Sequence, residues 1–402
     1  MPHIDLKRAS KLLREKNVEV LVASTQPNFY YTSGYKPRVS ERPMMVVITA
    51  DPKAEPAMIV GSFIERQARE KSKIVKDIRS YPMWVCQVPI EQVEKGLVQP
   101  AKLPEQFNYD QLYGMLSDIF AEKGVKNKTI ALEQNLFAPQ AFNTLTRQNP
   151  KARFVAAESI FFELRKIKTG EEIKELRLSS DLSERGIVRM CNNCTPSVSI
   201  SELQQHFRLG VLEAALDKGP LDLDFLHNII SAGDPLSAEL PDKRVKAGDI
   251  IFIDCGIQVN GYNSDMGRTF VVGKPNDLQQ KIFKALRAGY EDGVSRLRPG
   301  IKMSDIYKVI HQTVRKNGLP WFARGHVGHM VGIGVGPGYI EQPPFFSEKE
   351  NQILEPDMVI TVEIGTYVTG FAAFQLEDML LITPDGHENF TKLPRELVEI
   401  GV

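Results

Sequence analysis

Cysteine is scarce in this sequence, and its scarcity excludes a disulfide-framed fold. Four cysteines are spread over 402 residues, too few for disulfides to hold a chain of this length. Cys191 and Cys194 form a single C-x-x-C, but a structural zinc site needs two further ligands and a redox pair needs a thioredoxin-like context. We therefore interpret them as two buried or half-buried thiols near the end of a helix.

Net charge and long apolar runs are absent as well. Fifty basic and fifty acidic residues cancel, so the overall charge favours neither nucleic acid nor an anionic membrane surface. The opening MPHIDLKRASKLL has no apolar run of signal-peptide length, and no later stretch reaches the length of a membrane span. With 42% apolar and 25% charged residues, the composition is typical of a globular enzyme of two or three domains, and we expect it to be cytoplasmic.

The order of helical and strand patterns predicts two domains. Amphipathic and β-like segments alternate up to about residue 157, as in α/β proteins. A charged stretch of helical period follows, in which Thr169 and Glu172 have the spacing of a capping box. We place the boundary just before this helix, which gives a first domain over residues 1–160 and a second over residues 161–402.

A first pair of acids lies in AGDIIFIDCGIQVNGYNSDMGRTFVV. The apolar residues 250–253 predict a buried strand that ends at Asp254, and the Asn-Gly pair at 260–261 is a strong hairpin-turn signal. With this turn, Asp254 lies opposite Gly267, and Asp265 lies two positions away on the same face. Taken alone, each acid is at least as compatible with a solvent-exposed or turn position as with a functional site. An unpaired charge at the end of an apolar strand is costly to bury, however, so we expect both carboxylates in one site.

A second acidic pair and a histidine complete a candidate metal site. Glu363 in VITVEIG and Glu377 in FQLEDMLLIT lie in apolar β-like runs, and a hairpin centred on Gly370 sets them opposite each other. Like charges that close need a cation or a shared proton. The glycine-rich stretch RGHVGHMVGIGVGP adds His326 and His329. Oxygen donors with one imidazole suit one or two divalent ions such as Mn, Fe, Co or Zn, which polarise carbonyls and activate water.

The order of these residues resembles that of the pita-bread metallopeptidases, the family of prolidase, aminopeptidase P and methionine aminopeptidase. The matching positions are Asp254, Asp265, His329 in GHMVG, Glu363 in VEIG and Glu377 in LED. The first half, including NFYYTSGY at 28–35, resembles the creatinase/prolidase N-terminal domain. The resemblance implies an α/β (α+β) fold, with that domain followed by a pita-bread catalytic domain. It also implies a homodimer with the N-terminal domain of one subunit near the partner's site. On that basis we hypothesise that Lys36, Arg38 and Arg42 favour an anionic group of the substrate.

The resemblance further implies two divalent metal ions. By position, Asp254 would bind one ion, Asp265 and Glu377 would bridge both, and His329 and Glu363 would complete the second site. Glu363 would also lie beside a bridging hydroxide as the proton acceptor, which makes it a candidate catalytic residue.

The chain departs from the family pattern around these ligands. No histidine occurs in SAGDPLSAELPDKRVKAGD before Asp254, Gly336 stands where a second histidine follows the ligand, and Gln375 replaces an arginine. Ile364 replaces a proline after the first Glu. These groups orient the scissile peptide and a carboxylate in the peptidases, so the metal ligands are kept while the substrate surroundings change. His326 is then either a packed neighbour of the metal site or a catalytic replacement for the missing histidines.

Several functions fit these observations. The first is a metal-dependent hydrolase of short peptides that resembles Xaa-Pro dipeptidase. The alternatives are a dimethylsulfoniopropionate-type lyase and a small-molecule C–N hydrolase of the creatinase or ectoine hydrolase type. Creatinase works without metal, so five retained ligands argue against close kinship with it. A non-catalytic scaffold has no need to keep mutually repelling acids in apolar strands.

Overall fold

The computed structural model describes residues 4–37, 42–84, 88–98, 108–133, 138–334 and 341–401. The chain divides into two compact units, Met1–Leu164 and Arg165–Val402. Each unit has its own sheet and hydrophobic core. Among the described residues, no helix has the length and apolar character that a membrane crossing requires.

The first unit is built on a mixed sheet covered by helices. Its strands are β1 Val20–Ala23, β2 Met45–Thr49, β3 Ala57–Gly61, β4 Asp77–Tyr81, β5 Thr129–Leu132 and β6 Arg153–Ala156. They lie in the order β4-β3-β2-β1-β5-β6, with β2 antiparallel to both of its neighbours and the other pairs parallel. The helices are α1 Leu6–Glu15, α2 Gln26–Ser33, α3 Glu65–Lys71, α4 Ile90–Glu94, α5 Tyr109–Glu122, α6 Pro139–Gln148 and α7 Glu158–Arg165.

The second unit contains a long, mainly antiparallel sheet. Its strands are β7 Leu223–Ala232, β8 Ile250–Val259, β9 Tyr262–Asn263, β10 Met266–Val272, β11 His326–Met330, β12 Gln342–Ser347, β13 Val359–Val368, β14 Ala372–Ile382, β15 His387–Asn389 and β16 Val398–Ile400. The main order is β12-β11-β13-β14-β10-β8-β7. The short strands β9, β15 and β16 pair with β8, β14 and β10, respectively.

Two helix pairs pack on this sheet and decide which side chains face away from the core. The helices are α8 Gly170–Asn192, α9 Ile200–Leu216, α10 Asp277–Val294 and α11 Met303–Lys316. The pair α8 and α9 shares one core with alternate residues of β8, and the pair α10 and α11 shares another with alternate residues of β13 and β14. Because side chains alternate along a strand, the residues between them point to the opposite face of the sheet.

The local features predicted from the sequence are present in this unit. Thr169 and Glu172 form the predicted capping box at the start of α8, with each side chain bonded to the other residue's backbone N–H. The Asn-Gly turn at 260–261 has positive φ at both residues and joins β8 to β9. Cys191 lies half-buried in the last turn of α8, and Cys194 lies buried just after the helix. Both are free thiols, as predicted.

Candidate metal centre

Three of the predicted ligands lie in one row across neighbouring strands. Asp254 on β8 faces Gly267 on β10, Gly267 in turn faces Glu377 on β14, and Glu377 faces Glu363 on β13. Both hairpin registers are those predicted from the sequence. The apolar neighbours of these acids pack towards the helices, so the carboxylates share the opposite face. We call Asp254, Glu377 and Glu363 the carboxylate row.

Asp265 and His329 complete the set that the sequence predicted. His329 Nε2 lies 3.4 Å from Asp265 Oδ2 and 4.0 Å from both Glu363 Oε1 and Glu377 Oε1. Its Nδ1 lies 3.0 Å from the carbonyl oxygen of Met330. When Nδ1 carries the proton and donates to that oxygen, the Nε2 lone pair faces the carboxylates, which is the arrangement a metal ligand requires.

His227 also lies at the site, although the sequence analysis assigned it no role. It is on β7, which pairs with β8 so that Ile229 faces Asp254 and His227 faces Gly256. Its Nε2 lies 2.8 Å from Asp254 Oδ1 and 3.4 Å from Asp265 Oδ1. The stretch directly before Asp254 has no histidine, but β7 brings one from farther upstream. Only the pairing of β7 with β8 reveals this, because no local motif marks His227.

Two basic residues at the start of β11 contact Glu363: Arg324 just before the strand and His326 as its first residue. Arg324 Nη2 donates a hydrogen bond to Glu363 Oε2, and His326 Nδ1 lies 3.1 Å from Glu363 Oε1. The other ring nitrogen of His326 is 3.8 Å from Glu341 Oε2. His326 therefore lies beside the candidate proton acceptor, and Arg324 is a site residue that the sequence analysis missed.

Gln375 occupies the space that Gly267 leaves free. Its Nε2 donates to Glu377 Oε2 at 2.8 Å and to Asp254 Oδ2 at 3.2 Å. A Cβ on Gly267 would come within 2.6 Å of that nitrogen. The residue that replaces the family arginine therefore bridges two carboxylates of the row.

Burial and crowding perturb the titration of these groups. Burial raises the pKa of Asp265 and of Glu377, and the neighbouring carboxylates raise that of Glu377 further. Burial alone would raise the pKa of Glu363, but the hydrogen bond with His326 and the charge of Arg324 lower it to about 2. Burial would lower the pKa of His227, but Asp254 and Asp265 outweigh it and raise the pKa to about 10. The clustered carboxylates thus attract positive charge.

The donor set fits divalent metal ions. Among the described residues, three groups contain potential ligand atoms that all lie within 4.8 Å of the others in the same group. One group is His326 with Glu341 and Glu363, and the other two are His227 with Asp254 and Asp265, and Asp265 with His329 and Glu377. Asp265 belongs to both of the latter groups. Carboxylate oxygens and imidazole nitrogens suit divalent ions such as Mn²⁺, Fe²⁺, Co²⁺ and Zn²⁺, whereas softer metal ions prefer thiolate ligands.

Comparison with known protein families agrees with this geometry. Residues 174–384 match the model of metallopeptidase family M24, and residues 6–167 match the creatinase/prolidase N-terminal domain. The chain belongs to metallopeptidase family M24. The predicted resemblance, the α/β (α+β) fold and the metal-dependent hydrolase class are thereby confirmed, and the family implies divalent metal ions at the site.

Individual relatives of this M24 enzyme match along most of its length. The Xaa-Pro dipeptidase of Pyrococcus furiosus is 24% identical over 398 residues, which cover 98% of this chain and 99% of the relative. The uncharacterized peptidase YqhT of Bacillus subtilis is 26% identical over 276 residues, covering 67% of this chain and 75% of the relative. The prolidase structure from Pyrococcus horikoshii has a TM-score of 0.78 at 22% identity, with 98% and 99% of the two chains covered, and it shares the fold.

Proposed function

We propose that this M24 enzyme is a dinuclear metallodipeptidase that cleaves short peptides of the Xaa-Pro type. The observation that carries the proposal is Asp265, which belongs to two groups of potential ligand atoms and has one oxygen near His227 and the other near His329. In this proposal Asp254 would hold one ion, Asp265 and Glu377 would be shared by the two ions, and His329 and Glu363 would complete the second site. The ions are of the Mn, Co, Fe or Zn type, with manganese a suitable candidate for so many oxygen donors.

The residues around the metal site would have distinct roles in proton transfer and in orienting the ligands. Divalent ions held there would supply Lewis acidity towards the scissile carbonyl and towards water. Glu363 would accept the proton of the attacking water, since its carboxylate is kept ionised by Arg324 and His326. His326 would pass that proton towards the leaving amine, because its half-buried ring contacts Glu363 and is itself accessible to solvent. Gln375 would hold Asp254 and Glu377 apart in the orientation that the ions need.

The substrate class rests on the relatives. The Xaa-Pro dipeptidase of Pyrococcus furiosus matches nearly the whole chain, and its name favours a dipeptide substrate over a dimethylsulfoniopropionate-type lyase or a creatinase-like C–N hydrolase substrate. Our expectations of a homodimer and of a cytoplasmic location remain proposals. Of the basic residues suggested for the partner's site, Arg38 lies outside the described residues, and Arg42 places its guanidinium 4.6 Å from the centre of the Trp84 ring.

Metal content and a peptide panel test this proposal. We expect about two divalent ions per chain by elemental analysis, and faster cleavage of Ala-Pro and Gly-Pro than of Ala-Ala after loading with manganese or cobalt. Dimethylsulfoniopropionate and creatine are assayed in parallel. Turnover of either of these without dipeptide cleavage would replace the dipeptidase proposal, and metal-free protein with full activity would remove the metal mechanism.

His326 has a separate test. If it moves the proton, His326→Ala lowers kcat by about 100-fold, a typical contribution of a general acid or base, while the metal content stays unchanged. Unchanged turnover would make His326 a packed neighbour only.

A further inference from the structure

His227 faces the metal centre from a strand that supplies none of the other predicted ligands. We infer that His227 is a protein ligand of the ion held by Asp254 and Asp265, so that each of the two metal subsites contains one imidazole. The inference rests on the dinuclear centre proposed above. It adds a nitrogen donor to a subsite that the sequence analysis had built from carboxylates alone.

The register of β7 directs His227 into the site. Ile229 faces Asp254 across the strand pair and His227 faces Gly256, so His227 lies on the same face of the sheet as Asp254. The absence of a side chain at Gly256 leaves space for the imidazole ring of His227. A Cβ at that position would lie 2.6 Å from Cε1 and 2.9 Å from Nδ1 of His227, distances that are too short for any side chain. The pair His227 and Gly256 therefore acts as one unit that seats an imidazole beside Asp254.

The two histidines stand in equivalent positions about Asp265. His227 Nε2 lies 3.4 Å from Asp265 Oδ1, and His329 Nε2 lies 3.4 Å from Asp265 Oδ2. A carboxylate that bridges two ions presents one oxygen to each of them. Each oxygen of Asp265 thus has its own imidazole nitrogen close enough to bind the same ion.

The competing role is a hydrogen bond that only orients Asp254. His227 Nε2 lies 2.8 Å from Asp254 Oδ1, which is also a normal hydrogen-bond distance. Glutamine separates the two roles, because its amide can donate to a carboxylate but is a poor ligand for Co²⁺ or Zn²⁺. If His227 ligates, His227→Gln resembles His227→Ala; if it only orients Asp254, His227→Gln resembles the wild type.

The experiment measures metal binding directly. Apo protein, His227→Ala, His227→Gln and the control His387→Ala are titrated with Co²⁺ by calorimetry, and X-ray absorption of the cobalt-loaded forms counts imidazoles. His387 suits as a control because its ring contacts the Leu297 carbonyl rather than the carboxylate row. Circular dichroism establishes that each variant is folded.

The expected result is specific. Wild type and His387→Ala bind two ions, with two imidazoles per pair of ions. Both His227 variants weaken one of the two binding events by at least about tenfold and show one imidazole per pair. A His227→Gln protein with wild-type affinity and an unchanged imidazole count would overturn the inference while leaving the proposed function intact. A wild-type protein that binds fewer than two ions would instead overturn the dinuclear proposal itself.

Discussion

At the residue scale, the charge of Glu363 is controlled by one short segment. Arg324 lies two residues before β11, His326 is the first residue of that strand, and both contact the Glu363 carboxylate. The hydrogen bond with Glu363 raises the pKa of His326, while the same pair helps to lower that of Glu363 to about 2. The carboxylate is therefore ionised and positioned before any ion or substrate arrives.

Replacement of this carboxylate tests its role. We expect Glu363→Gln to lower kcat by roughly 100- to 10,000-fold, because the amide can neither accept a proton nor supply the negative charge. The measurement is kcat for Ala-Pro at saturating metal. Glu341→Gln is the matched control, since Glu341 is an exposed acid that contacts the far side of His326. Equal activities of the two variants would contradict the assignment of Glu363.

At the element scale, the approach of β11 to β13 depends on Gly328. Its φ is 143°, a conformation that other residues rarely adopt. A Cβ there would lie 2.2 Å from the carbonyl oxygen of Thr361. Since His329 follows directly, the close approach of these strands sets the position of the ligand imidazole.

A substitution at Gly328 should therefore damage both the fold and the metal site. We expect Gly328→Ala to lower the free energy of unfolding by about 1–3 kcal/mol through backbone strain and to weaken metal binding by displacing His329. Urea unfolding and metal titration measure the two effects. Gly325→Ala is the control, because nothing lies within 4 Å of a Cβ at Gly325. Similar losses in both variants would argue against a specific role for Gly328.

The helix α11 supports the same segment through a neutral histidine. His311 Nε2 accepts a hydrogen bond from the backbone N–H of Arg324 at 3.1 Å, and its ring lies between Tyr307 and Phe322. Burial lowers the pKa of His311 below its usual 6.5. Protonation is thus easier in the unfolded chain than in the folded one. This contribution to stability is present above pH 6.5 and is lost as the pH falls through the lower pKa of the folded state.

The lowered pKa of His311 predicts how the stability depends on pH. Between pH 7 and pH 5, His311→Gln should lose less stability than the wild type, measured as the change in melting temperature, because it has no imidazole to protonate. Differential scanning calorimetry across this range makes the comparison, and His387→Gln serves as the control. A steeper fall in His311→Gln would show that the pKa of His311 is not depressed.

At the scale of the whole second unit, one sheet face packs on helices while the other holds charge. The two helix pairs bury apolar residues of β8, β13 and β14. Each such buried side chain contributes roughly 1.5–3 kcal/mol. This apolar core holds the carboxylate row in place although its members repel one another. Divalent ions would remove that repulsion, so metal binding and stability are coupled.

Metal removal should therefore destabilise the protein. For one site, an ion at about 100 times its Kd adds about 2.7 kcal/mol of stability, and a chelator removes this contribution. We expect the melting temperature to fall on treatment with EDTA and to recover on addition of manganese or cobalt, as followed by circular dichroism. Asp265→Asn should show little response to either treatment. A wild-type protein that is indifferent to the chelator would contradict a metal centre at this face.

The sequence alone was sufficient for features that depend on local order. The hairpins at 260–261 and around Gly370 and the capping box of α8 follow from alternation, turn residues and cap spacing, which act over a few residues. The predicted end of a strand at Asp254 was wrong, because β8 continues through Asp254 to Val259. The spacing of five candidate ligands was enough to identify the family.

Only the tertiary structure decided which distant residues join these ligands. His227 reaches Asp254 through the pairing of β7 with β8, Gln375 reaches it across Gly267, and Arg324 reaches Glu363 from the segment before β11. His227 and Arg324 carry no local signal, because a histidine or arginine in a strand or loop is equally compatible with many environments, and Gln375 was marked only as a departure from the family pattern. Strand order and register set their neighbours. The packing of the helix pairs on the sheet stabilises that order, because it buries the apolar side chains of both cores.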